Sequence, residues 1–393
     1  MKKKVDVAIV GGGVVGMALA LSLSKLGHSV IIIEKKSMQI KDIDLDLSTY
    51  DTRIFALNHT ARNFLNQLEI DIRSFSHTTE FESMALWSRS KNQALTLTDK
   101  DHTYPCLGYI VEHRQLMTQL MKAIKESSQI EVYDDTNIDG LTSEGNITFE
   151  DGSHLEAQWI IGADGGHSIV REKIGFKVTE KEYHQSALIM NVQHTHSHDK
   201  TAYQCFENNE TLAFLPLINS FHSSIVWSND SDEIKKLQSL PENQLMHRLA
   251  EASDYRLGQC QLLSDVNTFP LKSLHVKNYK KNKVILVGDA AHVLHPMAGW
   301  GMNLGLQDAA TLMQCINRYL KQNQPLHQVT ERAFLRYERY RRSHNQTMML
   351  IINLLRQAFR ADIPYNWIQS MNKLKRIMVK IAQGEQSIIK LLK

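Results

Sequence analysis

Cysteine and proline are scarce in this chain of 393 residues, which has four cysteines and seven prolines. The cysteines are scattered, with no C-x-x-C pair and no metal-ligand spacing, and they occupy positions 106, 205, 260 and 315. This pattern excludes a disulfide framework and predicts reduced thiols in a cytoplasmic protein. His292 and His295 form the only site-like histidine pair. Because no carboxylate or cysteine set completes it, we predict no metal site.

An excess of one charge sign and long apolar runs are also missing. The chain has 45 Lys and Arg residues against 42 Asp and Glu residues, so nothing favours nucleic acid as a partner. The uncharged run Val7–Ser24, which follows Lys2–Lys4, resembles a secretory signal peptide. Asp6 interrupts the basic region and four glycines lie in the apolar part, so we interpret the run as a strand and a buried helix. No other apolar run reaches the ~18 residues that a membrane span needs.

A glycine-rich turn lies between two apolar segments near the N-terminus. Val5–Val10 has the composition of a buried strand, and a small apolar helix is predicted to run to Leu26 before a second strand, Ser29–Ile33. Glu34 follows that strand, where an acid can hold an adenosine ribose. The turn fits G-x-G-x-x-G with Gly11, Gly13 and Gly16. This strand–turn–helix setting predicts a dinucleotide site.

Two further apolar strands are each predicted to deliver an aspartate into a glycine-rich turn. Trp159–Gly162 leads to Asp164, and Val284–Gly288 leads to Asp289, after which a second glycine-rich loop opens a helix. An Asp-Gly pair is most often a surface turn, but each aspartate here follows a buried strand, which favours a functional interpretation. A carboxylate at a strand end can bind a sugar hydroxyl. The free N–H groups of a helix start can face an electron-rich ring.

The order and spacing of these three motifs resemble the class A flavin-dependent aromatic hydroxylases, the p-hydroxybenzoate hydroxylase superfamily. Within that superfamily the chain is most similar to the ubiquinone-biosynthesis hydroxylases of the 2-polyprenylphenol type. The segments that carry the closer resemblance are Asp51–Leu57, Val111–Leu116, Leu212–Leu217, Val226–Ser228 and Gly288–Gly305. Together with the N-terminal motif they cover nearly the whole chain.

The resemblance implies a set of cofactor-binding residues by position. Those expected at the ADP half of FAD are Gly11, Gly13, Val14, Val15, Gly16, Glu34 and Lys35. Arg53 and Arg114 are expected along the pyrophosphate and ribose. Asp164, with Gly165 beside it, is expected to shape the nicotinamide approach, and Asp289, with Gly288 before it, is expected to bind the ribitol. Those expected to line the isoalloxazine ring are Pro296, Gly299, Gly301, Met302 and Asn303. Trp300 departs from the family pattern, which usually has glutamine there, and this bears on flavin mobility and on the size of the ring cavity.

The activity implied by the resemblance is hydroxylation of a phenol or quinol ring, here of a polyprenylated ubiquinone precursor. NAD(P)H would reduce noncovalently bound FAD, and O₂ would form a flavin hydroperoxide that transfers one oxygen atom to the ring. The protein would position the ring and exclude water, and no spacing in the chain identifies a catalytic side chain or a base. Two alternatives stay open: a reductase or dehydrogenase of the same fold, and a noncatalytic flavoprotein subunit of a biosynthetic complex.

The fold class expected is α/β, with a Rossmann-like FAD-binding domain, an inserted antiparallel-sheet substrate domain and C-terminal helices. We predict that residues 1–75, 100–180 and 270–345 form the discontinuous FAD domain. Residues 182–269 alternate polar and apolar side chains, which predicts an antiparallel sheet. Together with residues 76–99, which we expect to join it, this segment forms the predicted substrate domain. Residues 346–393 form the predicted C-terminal helical region.

The last predicted helix, Met371–Lys393, is basic and amphipathic. It could pack its apolar stripe on the FAD domain or dock on an anionic membrane surface, and the sequence leaves both alternatives open. We expect a cytoplasmic protein. Because a polyprenyl substrate resides in the bilayer, the inner face of the membrane is a candidate site of peripheral binding. A ubiquinone-biosynthesis complex and a homo-oligomer are further candidate assemblies.

Overall fold

The computed structural model describes residues 3–38, 49–89, 93–98, 104–294, 299–320, 326–360 and 372–384. In chain order the strands are β1 (Lys3–Val10), β2 (Val30–Ile33), β3 (Ile54–Leu57), β4 (Thr79–Phe81), β5 (Ser83–Ser88), β6 (Gln93–Thr98), β7 (Gly108–Glu112), β8 (Ile130–Tyr133), β9 (Ile138–Leu141), β10 (Asn146–Phe149), β11 (His154–Gly162), β12 (Val178–His194), β13 (Thr201–Glu207), β14 (Glu210–Pro216), β15 (His222–Asp230), β16 (Cys260–Leu262), β17 (Asn267–Val276), β18 (Lys280–Lys281), β19 (Val284–Leu286) and β20 (His292–Val293). The α-helices are α1 (Val14–Ser24), α2 (His59–Gln67), α3 (His113–Glu126), α4 (Ile169–Ile174), α5 (Ser231–Ser239), α6 (Glu242–Ala252), α7 (Trp300–Leu320), α8 (Leu326–Arg360) and α9 (Asn372–Gln383). Within these described ranges, no helix is both long and apolar enough to cross a membrane.

The first layer is a sheet in which β19, β11, β1, β2 and β8 lie side by side and parallel. Antiparallel strands extend it, with β18 beside β19 and with β10 and β9 beyond β11. The central strands are apolar on both faces, as parallel strands between helices require, and Ala8, Ile9 and Ile32 are completely buried. The predicted parallel-sheet α/β core is confirmed.

Helix α1 is buried on nearly every side, because it lies between this sheet and the helices α3 and α7. Its sequence contains no charged residue, and Met17, Ala18 and Leu19 have no exposed surface. The uncharged run near the N-terminus therefore forms β1 and α1, as interpreted from the sequence. The carboxyl end of β1 and the start of α1 meet at the glycine-rich turn.

The second layer is an antiparallel sheet with the order β20-β17-β12-β15-β14-β13-β5-β6, to which β16 adds beside β12. One parallel pair, β13 with β5, interrupts the antiparallel pattern. Side chains such as Leu188 and Trp227 pack under α5 and α6 on one face, whereas Ala213 and Val226 face a cavity on the other. The predicted antiparallel sheet is confirmed. Its strands lie between residues 178 and 276, with β5, β6 and β20 added, and the predicted domain limits stay a prediction.

A small third sheet has the order β3-β7-β4. Its residues Phe81 and Ile110 are buried in one apolar cluster with residues of the last helices, such as Met348. The predicted C-terminal helical region is present in α8 and α9. Met378 and Val379 of α9 are buried in one apolar cluster with residues of β5, β6 and α8. The part of the last predicted helix that the structure describes therefore uses its apolar stripe in packing. Residues 385–393 lie outside the described ranges.

Candidate active site

The glycine-rich turn between β1 and α1 leaves an anion-binding helix end open. Gly11 has φ +111, and a Cβ on Gly16 would lie 2.0 Å from the Gly11 carbonyl oxygen, so the turn requires glycine at both positions. Gly13 is the N-cap of α1, makes no side-chain cap and is exposed, with no described atom within 4 Å of where its Cβ would lie. The adjoining N–H groups of Val14 and Val15 are therefore available to a phosphate.

Glu34, at the end of β2, stabilises this turn through hydrogen bonds. Its Oε2 accepts a hydrogen bond from the N–H of Gly12 at 2.7 Å, and its Oε1 accepts one from the N–H of Lys36 at 3.1 Å. Lys35 is exposed beside it. The structure thus places Glu34 at the glycine-rich turn, and a further bond to a ribose stays a prediction.

Asp51 and Glu112 hold the two segments that carry the predicted arginines. The carboxylate of Asp51 accepts hydrogen bonds from the N–H groups of Arg53 and Arg114, each at 2.9 Å. Glu112 is buried, and it accepts bonds from the Asp51 N–H at 3.0 Å and from His77 Nδ1 at 2.8 Å. Arg53 lines the main cavity, whereas Arg114 lines a neighbouring polar pocket. The structure therefore anchors both arginines at one carboxylate but turns them towards different spaces.

Asp164 lies where β11 ends, beside the glycine-rich turn of the neighbouring strand β1. A Cβ on Gly11 would lie 2.4 Å from the Ala163 carbonyl oxygen, so the two motifs are in direct contact. Asp164 Oδ2 accepts a hydrogen bond from the N–H of Val170 at 3.1 Å, while Oδ1 is buried and has no partner in the described residues. Burial raises the pKa of Asp164. Gly165 follows with φ +79, as the turn requires.

Asp289 follows β19 in the short 3-10 turn that begins at Gly288, and its carboxylate lines the main cavity. Burial by the surrounding protein raises the pKa of Asp289, and the nearby His292 and Arg53 act in the opposite direction. The side chain is nevertheless accessible from the cavity. A carboxylate in this setting is available to sugar-alcohol hydroxyls.

Asp308 supports the turn that carries Asp289, and it belongs to none of the motifs found in the sequence. Its Oδ2 accepts hydrogen bonds from the Gly288 N–H at 2.9 Å and from His292 Nε2 at 2.6 Å. Its Oδ1 accepts one from Arg341 Nε at 2.6 Å, and both side chains are completely buried. Although burial acts to raise it, the charges of His292 and Arg341 hold the pKa of Asp308 below its usual range. A carboxylate within the apolar stretch of α7 was the available sequence signal.

The start of α7 supplies the loop predicted to face a flavin ring. Asn303 ties this loop to β3, because its Nδ2 donates to the carbonyls of Ala56 at 2.7 Å and Gly299 at 3.1 Å. Gly301 and Met302 line the cavity beside it. Pro296, also predicted at this site, lies outside the described residues, as does His295.

A cavity of about 640 Å³ lies between this loop and the antiparallel sheet. Its walls are mostly apolar, and helix α9 contributes to them. Trp300 belongs to the wall and is also buried in the apolar cluster that includes α9. Polar side chains on the sheet face of the cavity are Gln204, Thr211, Ser224 and Ser228. A concave, largely apolar space with few polar groups is typical of a small-molecule site.

These features fit FAD. The uncapped start of α1 would hold the pyrophosphate, and Asp289 would bind the ribitol. The buried and unpartnered Oδ1 of Asp164 is a polar atom that a cofactor donor would satisfy. Loop 299–303 would leave its backbone against the ring. The structure brings three predicted motifs into contact, since Gly11 lies against Asp164 and Gly288 lies against Val15. Among the described residues, Arg53, Asp289 and residues 299–303 line the cavity, and their binding to FAD stays a prediction.

Comparison with known proteins agrees with this geometry. A family model described as FAD binding domain matches residues 4–349. The chain is similar to the 3-demethoxyubiquinol 3-hydroxylase of Escherichia coli, with 30% identity over 315 residues that cover 79% of each protein. It is also similar to the ubiquinone hydroxylase UbiL of Rhodospirillum rubrum, with 28% identity over 97% of this chain and 90% of that protein.

Solved structures share the fold at lower identity. PqsL of Pseudomonas aeruginosa, a probable FAD-dependent monooxygenase, superposes with a TM-score of 0.78 and 19% identity over 93% of this chain and 99% of that one. The p-nitrophenol 4-monooxygenase PnpA of Pseudomonas putida gives a TM-score of 0.74 and 18% identity over 98% of this chain and 100% of that one. These likenesses confirm the predicted architecture of a parallel sheet, an antiparallel sheet and C-terminal helices.

Proposed function

This chain belongs to the FAD-binding monooxygenase family, and from that premise we propose that it hydroxylates the ring of a polyprenylated phenol or quinol, a ubiquinone precursor. As a member of the family it is an FAD-dependent enzyme that uses NAD(P)H. When bound, FAD would take electrons from NAD(P)H and activate O₂ for transfer of one oxygen atom. Membership counts against the noncatalytic-subunit alternative.

The observation that carries the proposal is the cavity above the loop that begins α7. It has one polar side, with Asp289 and Arg53, and walls from the antiparallel sheet and α9 that are largely apolar. Apolar walls bind an apolar substrate and displace water, which protects reactive oxygen chemistry from hydrolysis. The relatives named as ubiquinone hydroxylases support the same substrate class.

The polar side chains of the sheet would orient the ring. The amide of Gln204 lines the cavity, and the hydroxyl of Ser224 is buried without a hydrogen-bond partner among the described residues. An unpaired buried polar group costs free energy, so a ring oxygen that bonds to either side chain would bind more tightly than an apolar edge. These residues would set which ring position faces the cofactor.

Labelled oxygen tests the proposed reaction. We expect the FAD-loaded protein, given NAD(P)H, isotope-labelled O₂ and a phenol with a farnesyl chain, to yield a product with one labelled oxygen atom on the ring. Gln204→Leu should keep NAD(P)H oxidation but release more hydrogen peroxide for each product molecule, because the ring is less well oriented. Mass spectrometry and a peroxide assay measure the two outcomes.

A result without ring labelling would count against the proposal. NAD(P)H consumption with a reduced, unlabelled product would support the reductase alternative instead. NAD(P)H consumption that yields only peroxide with every prenylated phenol, but coupled labelling with an unprenylated phenol, would keep the monooxygenase and reject the prenylated substrate.

We further propose that the protein works at the inner face of the membrane, because a polyprenyl substrate resides there. Leu350 and Leu354, one turn apart on α8, are 59% and 53% exposed and support a peripheral contact. Flotation with anionic vesicles tests this, and Leu350→Ser should weaken it, because the change removes exposed apolar surface without adding charge. A ubiquinone-biosynthesis complex and a homo-oligomer stay predictions.

A further inference from the structure

Helix α9 forms part of the cavity wall, although it lies far along the chain from the cofactor motifs. Met378, Ile381 and Ala382 line the cavity. Their spacing of three, four and one places them on one helix face. Met378 and Val379 are buried in the same apolar cluster as Trp300 at the start of α7. The helix therefore contacts both the cavity and the core beside the predicted flavin loop.

The C-terminal end of α9 is attached at two points. Thr60 Oγ1 donates a hydrogen bond to the Gly384 carbonyl at 2.8 Å, and Gln383 Nε2 donates one to the Cys106 carbonyl at 3.2 Å. A Cβ on Gly384 would lie 2.5 Å from Asn58 Nδ2, so the chain passes very close to that side chain. This attachment gives α9 a defined position as a wall of the cavity.

The part of the wall that α9 shares with β5 and β6 has one chemical character. Every described side chain of these three elements that lines the cavity is apolar: Met84, Leu86, Leu97, Met378, Ile381 and Ala382. The charged lining residues Arg53, Asp289 and Lys272 come from other elements. A ligand group at α9 therefore gains from burial of hydrocarbon and finds no hydrogen-bond partner among the described lining side chains of these elements.

We propose that α9, with β5 and β6, binds the hydrocarbon chain of the substrate, and that Ala382 and Met378 set the size of chain that fits. This inference rests on the proposed function for the identity of the ring that the chain carries. A small side chain at position 382 leaves room at the wall, and a larger one would occupy that room. The ring itself would contact the sheet and the loop that begins α7.

Binding measured without turnover tests the chain site. The probes are farnesol, which has the chain but no ring, and p-cresol, which has the ring but no chain, each titrated into the FAD-loaded protein by calorimetry. Ala382→Phe should weaken farnesol binding about tenfold or more. An apolar pocket distinguishes ligands that differ by one methylene group to a similar extent. Binding of p-cresol should change less than twofold. For farnesyl-bearing substrates, KM should rise with little change in kcat.

Val379→Ala is the matched control, because Val379 is buried on the same helix but does not line the cavity. It should affect the two probes equally. Met378→Ala removes contact surface from the wall without adding bulk, and it should also weaken farnesol selectively if Ala382→Phe disturbs folding. Equal weakening of both probes in the lining variants, or unchanged farnesol binding, would overturn the proposal. Selective loss of farnesol without any ring labelling in the oxygen experiment would keep the chain site and reject the reaction.

Discussion

Replacing Asp308 with asparagine should destabilise the protein strongly, because this carboxylate forms an ion pair with the buried guanidinium of Arg341. Both side chains are completely buried, and the Nε to Oδ1 distance is 2.6 Å. Breaking a buried ion pair from one side costs about 3–5 kcal/mol, since the remaining charge is left without an opposite charge. Whole domains are stable by only about 5–15 kcal/mol, so a large part of the stability is at stake.

The neighbouring contacts make the effect specific to the cofactor turn. Asp308 also accepts bonds from the Gly288 N–H and from His292, on either side of Asp289. Asparagine keeps the shape and one acceptor oxygen but removes the charge. We therefore expect Asp308→Asn to weaken FAD binding as well as to lower the unfolding midpoint, whereas a purely structural defect elsewhere would lower the midpoint alone.

Urea unfolding followed by tryptophan fluorescence, with and without FAD, measures the loss. The double variant Asp308→Asn with Arg341→Met should be more stable than the sum of the single losses predicts, because no unpaired charge remains. Asp232→Asn is the control, since Asp232 is exposed on α5, and it should leave the midpoint unchanged. A loss below about 1 kcal/mol in Asp308→Asn, or strictly additive losses in the double variant, would refute the reasoning.

Three further predictions concern the cofactor turn, the cavity and pH. Glu34→Ala removes the acceptor of the Gly12 N–H and should raise the FAD dissociation constant roughly 10- to 150-fold, which corresponds to a loss of ~1.5–3 kcal/mol. An unchanged dissociation constant in a fluorescence titration would contradict this. Trp300→Gln puts an amide into an apolar cluster and opens the cavity, so it should lower stability and speed flavin reduction by NAD(P)H, and superimposable stopped-flow traces would show that the indole is not limiting. Burial, with the charge of Arg341, lowers the pKa of His344 to about 3. The folded protein therefore keeps this imidazole neutral, whereas in the unfolded chain it binds a proton near pH 6.5. Stability should therefore fall as pH drops from about 6.5 towards 3, by up to about 1.4 kcal/mol per pH unit from this group, and His344→Gln should reduce that slope.

The sequence predicted those parts of the site that depend on short segments. Gly11, Gly16 and Asp164 could be placed because a buried strand, a tight turn and a helix start follow each other along the chain, and their geometry is set by neighbouring residues. The spacing of motifs, with their resemblance to a known superfamily, also led to the cofactor and the reaction class. The antiparallel sheet followed from alternation of polar and apolar residues, because side chains on a strand point to opposite faces.

What the sequence could not decide is which distant residues meet. Asp308 and Arg341 pair across two helices, and Asp51 holds both Arg53 and Arg114 only because β3 and β7 are neighbours in the folded chain. For α9 the sequence left packing and membrane docking open, since either would bury the same apolar stripe. The tertiary structure places that stripe against the core and the cavity, because contact between segments far apart in the chain depends on the packing of the whole fold.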